Sequence, residues 1–202
     1  MVSQLNVAAL DPDPRRDAPP EALRDSFATP KAYRYANSSQ PYAVSGLVQV
    51  FTCGQRNFFT NVMAQALQIA GQGTPVLVVQ FLKGGIGQGY DRPVQLGQNL
   101  DWIRCDLPRC IDSAAIEPTE AAAIQDLWQY TQRVLRSGKY ALVVLDELTL
   151  AINLGLVPEA EVLALLNDRP SQVDIILTGP SVSNSLLEVA DQITEIRRSL
   201  CA

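Results

Sequence analysis

An α/β fold, a mostly parallel sheet covered by helices on both faces, is what this sequence predicts. Three observations carry the prediction. Short continuous apolar runs recur along the chain, such as Val76-Leu77-Val78-Val79 and Leu142-Val143-Val144-Leu145. Between them lie segments whose apolar residues repeat at helical spacing. Hydrophobic residues make up 47% of 202, enough for a sizeable core. Runs that are apolar at every position belong to strands buried on both faces, as in parallel sheets joined by helical crossovers.

The elements follow in order from Gly46. Leu47–Phe51 reads as the first buried strand. Phe59, Val62, Met63, Ala66, Leu67 and Ala70 mark one face of a helix, which Gly71 and Gly73 end. Pro75–Phe81 is the second strand. Gly84 to Gly89 reads as a plain flexible connection. Leu100–Cys105 is a third strand. Ile124, Leu127, Trp128, Thr131, Val134 and Leu135 define a long amphipathic helix that Gly138 terminates. Tyr140–Leu145 is a strand ending at Asp146-Glu147, followed by a short helix over Leu148–Asn153. A helix over Glu159–Asn167 stops before Pro170. Val173–Leu177 is a strand running into Thr178-Gly179. Ser181–Ala190 is expected to be helical, and Gln192–Arg197 to be the last strand.

Residues 1–45 differ. They hold Pro12, Pro14, Pro19, Pro20, Pro30 and Pro41 of the chain's 13 prolines, with charges of both signs and three tyrosines, Tyr33, Tyr35 and Tyr42. Regular helix is not expected there beyond a turn around Glu21–Phe27. The segment is either a loosely packed arm or one that docks on a protein partner. The boundaries are therefore a proline-rich N-terminal extension, 1–45, and one domain, 46–202.

Composition excludes several classes. A net charge of -5 does not suit a general nucleic-acid binder. No apolar run is long enough to cross a bilayer, and the N-terminus lacks a basic-then-apolar signal, so a cytoplasmic location without membrane insertion is expected. Histidine is absent, and Cys53, Cys105, Cys110 and Cys201 show no C-x-x-C spacing, so the cysteines read as reduced and mostly buried thiols rather than zinc ligands.

In open α/β sheets, ligands bind beyond the C-terminal ends of the strands. A phosphate-binding loop there reads G-x-x-x-x-G-K-[ST], whose glycines let backbone N–H groups face phosphate, whose lysine neutralises charge and whose hydroxyl holds magnesium. The corresponding segment here is Cys53-Gly54-Gln55-Arg56-Asn57-Phe58-Phe59-Thr60.

The surrounding chain resembles the ATP:corrinoid adenosyltransferases, whose first loop runs V-F-T-G-N-G-K-G-K-T-T. Val50-Phe51-Thr52 matches the entry to that loop, and Gln80-Phe81-Leu82-Lys83-Gly84 matches Q-F-[LI]-K-G. Val143–Leu148 matches V-V-L-D-E-[IL] through Asp146 and Glu147. Leu177-Thr178-Gly179 matches L-T-G, and Ala190-Asp191 through Thr194-Glu195-Ile196 matches A-D-x-[VI]-[TS]-E-[ML]. The resemblance spans about residues 46–198 and implies a P-loop NTPase-like three-layer fold. It also implies magnesium at Glu147, a role that competes with Asp146-Glu147 capping the next helix.

The departures fall on the chemistry. Cys53 and Asn57 stand at the family's loop glycines, Phe58 at its lysine and Phe59 at its first threonine, while Arg56 matches a lysine in mid-loop. Both phenylalanines read as core filling. Each charge-assisted hydrogen bond is worth roughly 1.5–3 kcal/mol, so these losses weaken phosphate binding by orders of magnitude. Asp106–Ile111 does not match the family's G-F-x-W-like loop, Pro180 replaces the arginine that often follows L-T-G, and the family's lysine- and glycine-containing tail has no match before Ala202.

Three functions are compatible with this pattern. The leading expectation is a non-catalytic binding, regulatory or scaffolding module, a pseudoenzyme needing no cofactor. The second is an active ATP:corrinoid adenosyltransferase of cobalamin biosynthesis using Mg-ATP and corrinoid, with Arg56, Thr60 and Glu147 carrying phosphates and metal. The third is a structural subunit docked through residues 1–45. The resemblance also implies a homodimer.

Overall fold

The computed structural model describes residues 45–197; the expectations for residues 1–44 and for Cys201 lie outside the described residues. Seven strands form one sheet in the order β3-β4-β2-β5-β6-β1-β7. They are β1 (Val48–Cys53), β2 (Val76–Gln80), β3 (Val94–Leu96), β4 (Leu100–Arg104), β5 (Leu142–Asp146), β6 (Asp174–Pro180) and β7 (Gln192–Ile196). Every pairing is parallel except β3 with β4. The helices are α1 (Thr60–Gly71), α2 (Pro118–Ser137), α3 (Leu148–Asn153), α4 (Glu159–Asn167) and α5 (Asn184–Glu188).

Alternation along each strand divides the core in two. Val50, Val79, Leu145 and Leu177 face a large cluster built with Ile124, Leu127 and Trp128 of α2, Leu148 of α3, Leu165 of α4 and Leu186 of α5. Phe51, Val78, Val144 and Ile176 face the other way, onto Phe59 and Val62, Met63, Ala66 and Ala70 of α1. The sheet is thus covered on both faces, by four helices on one and by α1 on the other. All five residues of β2 and of β5 are buried, which is why they read as unbroken apolar runs.

Two elements differ from the sequence prediction. β3 was not expected: its residues are exposed or half-buried and carry no periodic signal. It forms because Gly97, at φ +69°, turns the chain back so that Val94–Leu96 pairs with Leu100–Trp102. α5 is shorter than Ser181–Ala190. Ser181 has a positive φ of 53°, and Ser183 caps the helix by accepting a hydrogen bond from the Leu186 amide.

The Gly84–Gly89 segment is not a plain connection. A Cβ on Gly84 would collide with the backbone oxygens of Leu107 and Arg109, and the Gly85 amide donates to Leu107 O at 2.7 Å. The Ile111 amide in turn donates to Leu82 O at 2.9 Å. The segment after β2 is therefore fastened to the one after β4, and glycine is required at 84 because the two backbones touch.

Candidate functional site

Register sets the site. Gln80 pairs with Asp146 on one side and Arg104 on the other, and Leu145 pairs with Leu177, so Gln80, Arg104 and Asp146 end their strands at one level, with Thr178 of β6 at the same height. Phe51 pairs with Thr178, which brings the Cys53–Phe59 loop above the same level.

Asp146 is fully buried, and its carboxylate is hydrogen-bonded on both oxygens. Oδ1 accepts from Thr178 Oγ1 at 2.7 Å; Oδ2 accepts from Gln80 Nε2 and from Lys83 Nζ, each at 2.7 Å. The Gln80 carbonyl Oε1 accepts from Trp102 Nε1 at 3.0 Å and Arg104 Nε at 2.7 Å. Gln80 is thus clamped in one orientation and passes that order to Asp146, which holds Lys83. A buried carboxylate needs this degree of satisfaction.

Glu147 follows in the left-handed conformation, φ 62°. Its amide donates to Thr178 Oγ1 at 3.1 Å. The turn throws the side chain toward the β1 loop, where it meets Arg56 in a bidentate pair: Nε donates to Oε1 at 2.7 Å and Nη2 to Oε2 at 2.6 Å. Arg56 Nη1 donates to Ile111 O at 2.8 Å and Nη2 to Leu82 O at 3.5 Å. One side chain therefore ties together the loops after β1, β2, β4 and β5. The Glu147 hydrogen bond raises the Arg56 pKa above its usual value, outweighing the opposing effect of burial. Lys83 Nζ lies 3.9 Å from Glu147 Oε1 and 4.6 Å from the centre of the Phe58 ring.

Several expectations are corrected here. Phe59 is core, 1% exposed, but Phe58 is 45% exposed and lies beneath Lys83 as a cation–π partner rather than filling a cavity. Glu147 occupies the N-cap position of α3, yet its side chain makes no capping bond; it goes to Arg56 instead. The expectation of reduced, mostly buried cysteines is met among the described residues: Cys53 and Cys105 are buried and free, and Cys110 is free and exposed. Gly179 is an architectural position, since its φ of 138° and the packing of Thr149 Oγ1 against it leave no room for a Cβ.

The structure therefore brings together Arg56, Phe58, Gln80, Lys83, Asp146, Glu147 and Thr178. Cys53, Gly54, Gln55 and Asn57 line the adjoining cleft of about 460 Å³ with Arg56 and with Glu195, Ile196 and Arg197 from the end of β7. Cys53 Sγ donates to Gln55 O at 2.6 Å, which tightens this loop. Thr60 begins α1 and is exposed. Sequence reasoning missed Trp102 and Arg104, whose spacing of two on one strand was the available signal, and the carbonyls of Leu82 and Ile111, which carry no signal at all.

Magnesium does not fit at Glu147 in this arrangement. Both carboxylate oxygens are held by Arg56, and a second cationic head stands 3.9 Å from Oε1. Asp146, with donors on both oxygens, offers no alternative. Among the described residues, no helix is long and apolar enough to cross a membrane.

Residues 44–199 match the family model described as ATP:corrinoid adenosyltransferase BtuR/CobO/CobP. The chain is 31% identical over 162 residues to the corrinoid adenosyltransferase of Escherichia coli (strain K12), covering 80% of this chain and 82% of that protein. It is 30% identical, with the same coverage, to the corrinoid adenosyltransferase CobA of Salmonella typhimurium (strain LT2). It is 26% identical over 197 residues to the corrinoid adenosyltransferase of Pseudomonas aeruginosa, covering 93% and 91%. These matches correct the expectation of no cofactor, because the matched family is described by its use of ATP and corrinoid. They favour the enzyme reading over the non-catalytic one.

Proposed function

We propose, from the premise that the chain belongs to the ATP:corrinoid adenosyltransferase family, that it transfers the adenosyl group of ATP to a corrinoid, in the cytoplasm, through a rebuilt nucleotide loop. The observation that carries this reading is the pair of cations at the C-terminal ends of the strands: Arg56 from the β1 loop and Lys83 from the β2 loop, each fixed by a buried carboxylate. Adenosyl transfer from ATP leaves a polyphosphate, and a leaving group that gathers negative charge is stabilised by cations already in place.

The roles divide as follows. Arg56 lines the cleft, and Lys83 adds positive charge next to it, with Nζ 3.9 Å from the Glu147 carboxylate that Arg56 holds. Asp146 orients Lys83 and is itself oriented by Gln80 and Thr178, so the ammonium is pre-positioned. Phe58, below Lys83, adds a cation–π contact. The N-terminus of α1, with no acidic residue in its first turn, adds a favourable dipole next to the loop. Magnesium at Glu147 is not part of this account.

A second reading, a non-catalytic family member, is favoured by one observation: the Arg56–Glu147 pair closes on itself and leaves Phe58 where a loop lysine would reach phosphate. Anaerobic incubation with ATP and a chemically reduced corrinoid separates the two. The adenosyl-transfer reading expects an adenosylated corrinoid detectable by mass spectrometry, with a rate that falls at least about tenfold in Lys83→Ala. No product, and no ATP binding by calorimetry, would leave the non-catalytic reading standing. Homodimer formation and docking of residues 1–45 on a protein partner are proposed alongside; light scattering and a pull-down with and without those residues test them.

A further inference from the structure

We infer that Arg56 takes the place of a divalent cation at Glu147, so that this site binds the polyphosphate of its nucleotide without metal. The inference rests on the adenosyl-transfer reading for the identity of the ligand, but its observations are independent of that reading.

The first is occupancy. A carboxylate offers about four lone-pair directions, and magnesium demands near-ideal octahedral geometry at about 2.0–2.1 Å from its oxygens. Glu147 gives one oxygen to Arg56 Nε and the other to Arg56 Nη2, at 2.7 and 2.6 Å, and its side chain is 2% exposed. Two of the four directions are taken, and with the side chain 2% exposed and Lys83 Nζ 3.9 Å from Oε1 a second cation has no open approach to the others without displacing a cationic head. The guanidinium is also held from outside the pair by Ile111 O and Leu82 O, so its expulsion breaks contacts to three loops at once.

The second is charge balance. Arg56 and Lys83 are matched one to one by Glu147 and Asp146. In a metal-dependent site the acids face phosphate uncompensated until a cation bridges them. Here protein cations already compensate both acids, so an incoming phosphate does not need a metal to mask them. Arg56 remains 32% exposed and Lys83 18%, which leaves an outer side of each head for an anion. Arginine suits the substitution because its planar fork matches carboxylate and phosphate alike and stays charged at any working pH.

Calorimetric titration of the full chain with ATP, and separately with inorganic tripolyphosphate, is done in EDTA and again with millimolar magnesium. The inference expects affinities within about threefold of each other in the two conditions. Arg56→Ala is expected to weaken metal-free binding at least about tenfold, with the fold checked by thermal melting, and Arg56→Lys to recover part of it. Glu147→Gln is expected to retain or tighten binding, since it releases Arg56 toward phosphate; a metal-bearing Glu147 would make the same variant weaker. Wild-type binding that requires magnesium, or loss of binding in Glu147→Gln, overturns the inference while leaving adenosyl transfer intact. Absence of ATP binding in both conditions overturns both.

Discussion

At the scale of single residues, the two neighbouring phenylalanines make a sharp comparison. Phe59 is 1% exposed and packs with α1 against the sheet; Phe59→Ala should lower stability by about 3–5 kcal/mol. Phe58 is 45% exposed, and Phe58→Ala should leave the denaturant midpoint nearly unchanged, since an exposed cation–π contact is worth only about 0.5–1 kcal/mol. Chemical denaturation of both variants checks the pair; a similar loss in each would mean that the ring of Phe58 is inside the core. The helical repeat identified Phe59 correctly, because the face it begins is a property of local spacing. It could not place Phe58, whose position depends on Lys83, a residue of another loop. Gly179→Ala is the counterpart on β6. Its positive φ and the contact with Thr149 Oγ1 predict a loss of about 1–3 kcal/mol, measurable by the same method.

At the scale of elements, legibility followed burial. β1, β2, β5 and β6 were found from their apolar runs, and α1 and α2 from their repeats. β3 has no such imprint, since a short exposed strand is defined by its partner. The site behaved in the same way. Asp146 and Glu147 were visible as the polar end of an apolar strand, but the left-handed turn that parts them, sending one inward and the other to Arg56, was not. Nor was the seam between the loops after β2 and β4. That seam yields a prediction: Gly84→Ala forces the backbone at 84 away from Leu107 and Arg109, carrying Lys83 with it. The expected outcome is a folded protein with a lower Tm and weakened ATP binding, whereas Gly71→Ala, at a site with open space around it, should change neither.

At the scale of the whole molecule, two buried groups set a limit on the alkaline side. Burial pushes the Cys105 thiol from 9.0 up to about 12, and burial, aided by the hydrogen bond to Asp101, pushes Tyr140 from 10.0 up to about 12. Both folded-state values are raised, so the stability these groups contribute is fully present below the unfolded values and is lost as pH rises toward 12. Melting temperature should hold up to about pH 9 and then decline. In Cys105→Ala the decline should begin about one unit higher, because the raised groups that remain, Tyr140 and its hydrogen-bonded neighbour Lys139, start from 10.0 and 10.5 rather than 9.0. Thermal melts from pH 7 to 11 compare the two; an unchanged onset would assign the decline to other groups.

The strand order has a consequence for the chain during its synthesis. β1 carries the Arg56 loop and is the first made of the described strands, yet its partners are β6 and β7. The side-chain hydrogen bonds that fix its start join Leu47 to Asp174 and Val48 to Asp191, separations of 127 and 143 residues. At roughly 5–20 residues per second, a ribosome leaves β1 without neighbours for many seconds. Glu147 emerges before either partner strand, so Arg56 cannot meet it on a settled β1 until β6 and β7 have been made. The nucleotide site is therefore a late product of folding: ATP cannot guide the nascent chain, and a ribosome stalled before β6 holds a polypeptide with its first strand exposed and no site to fill.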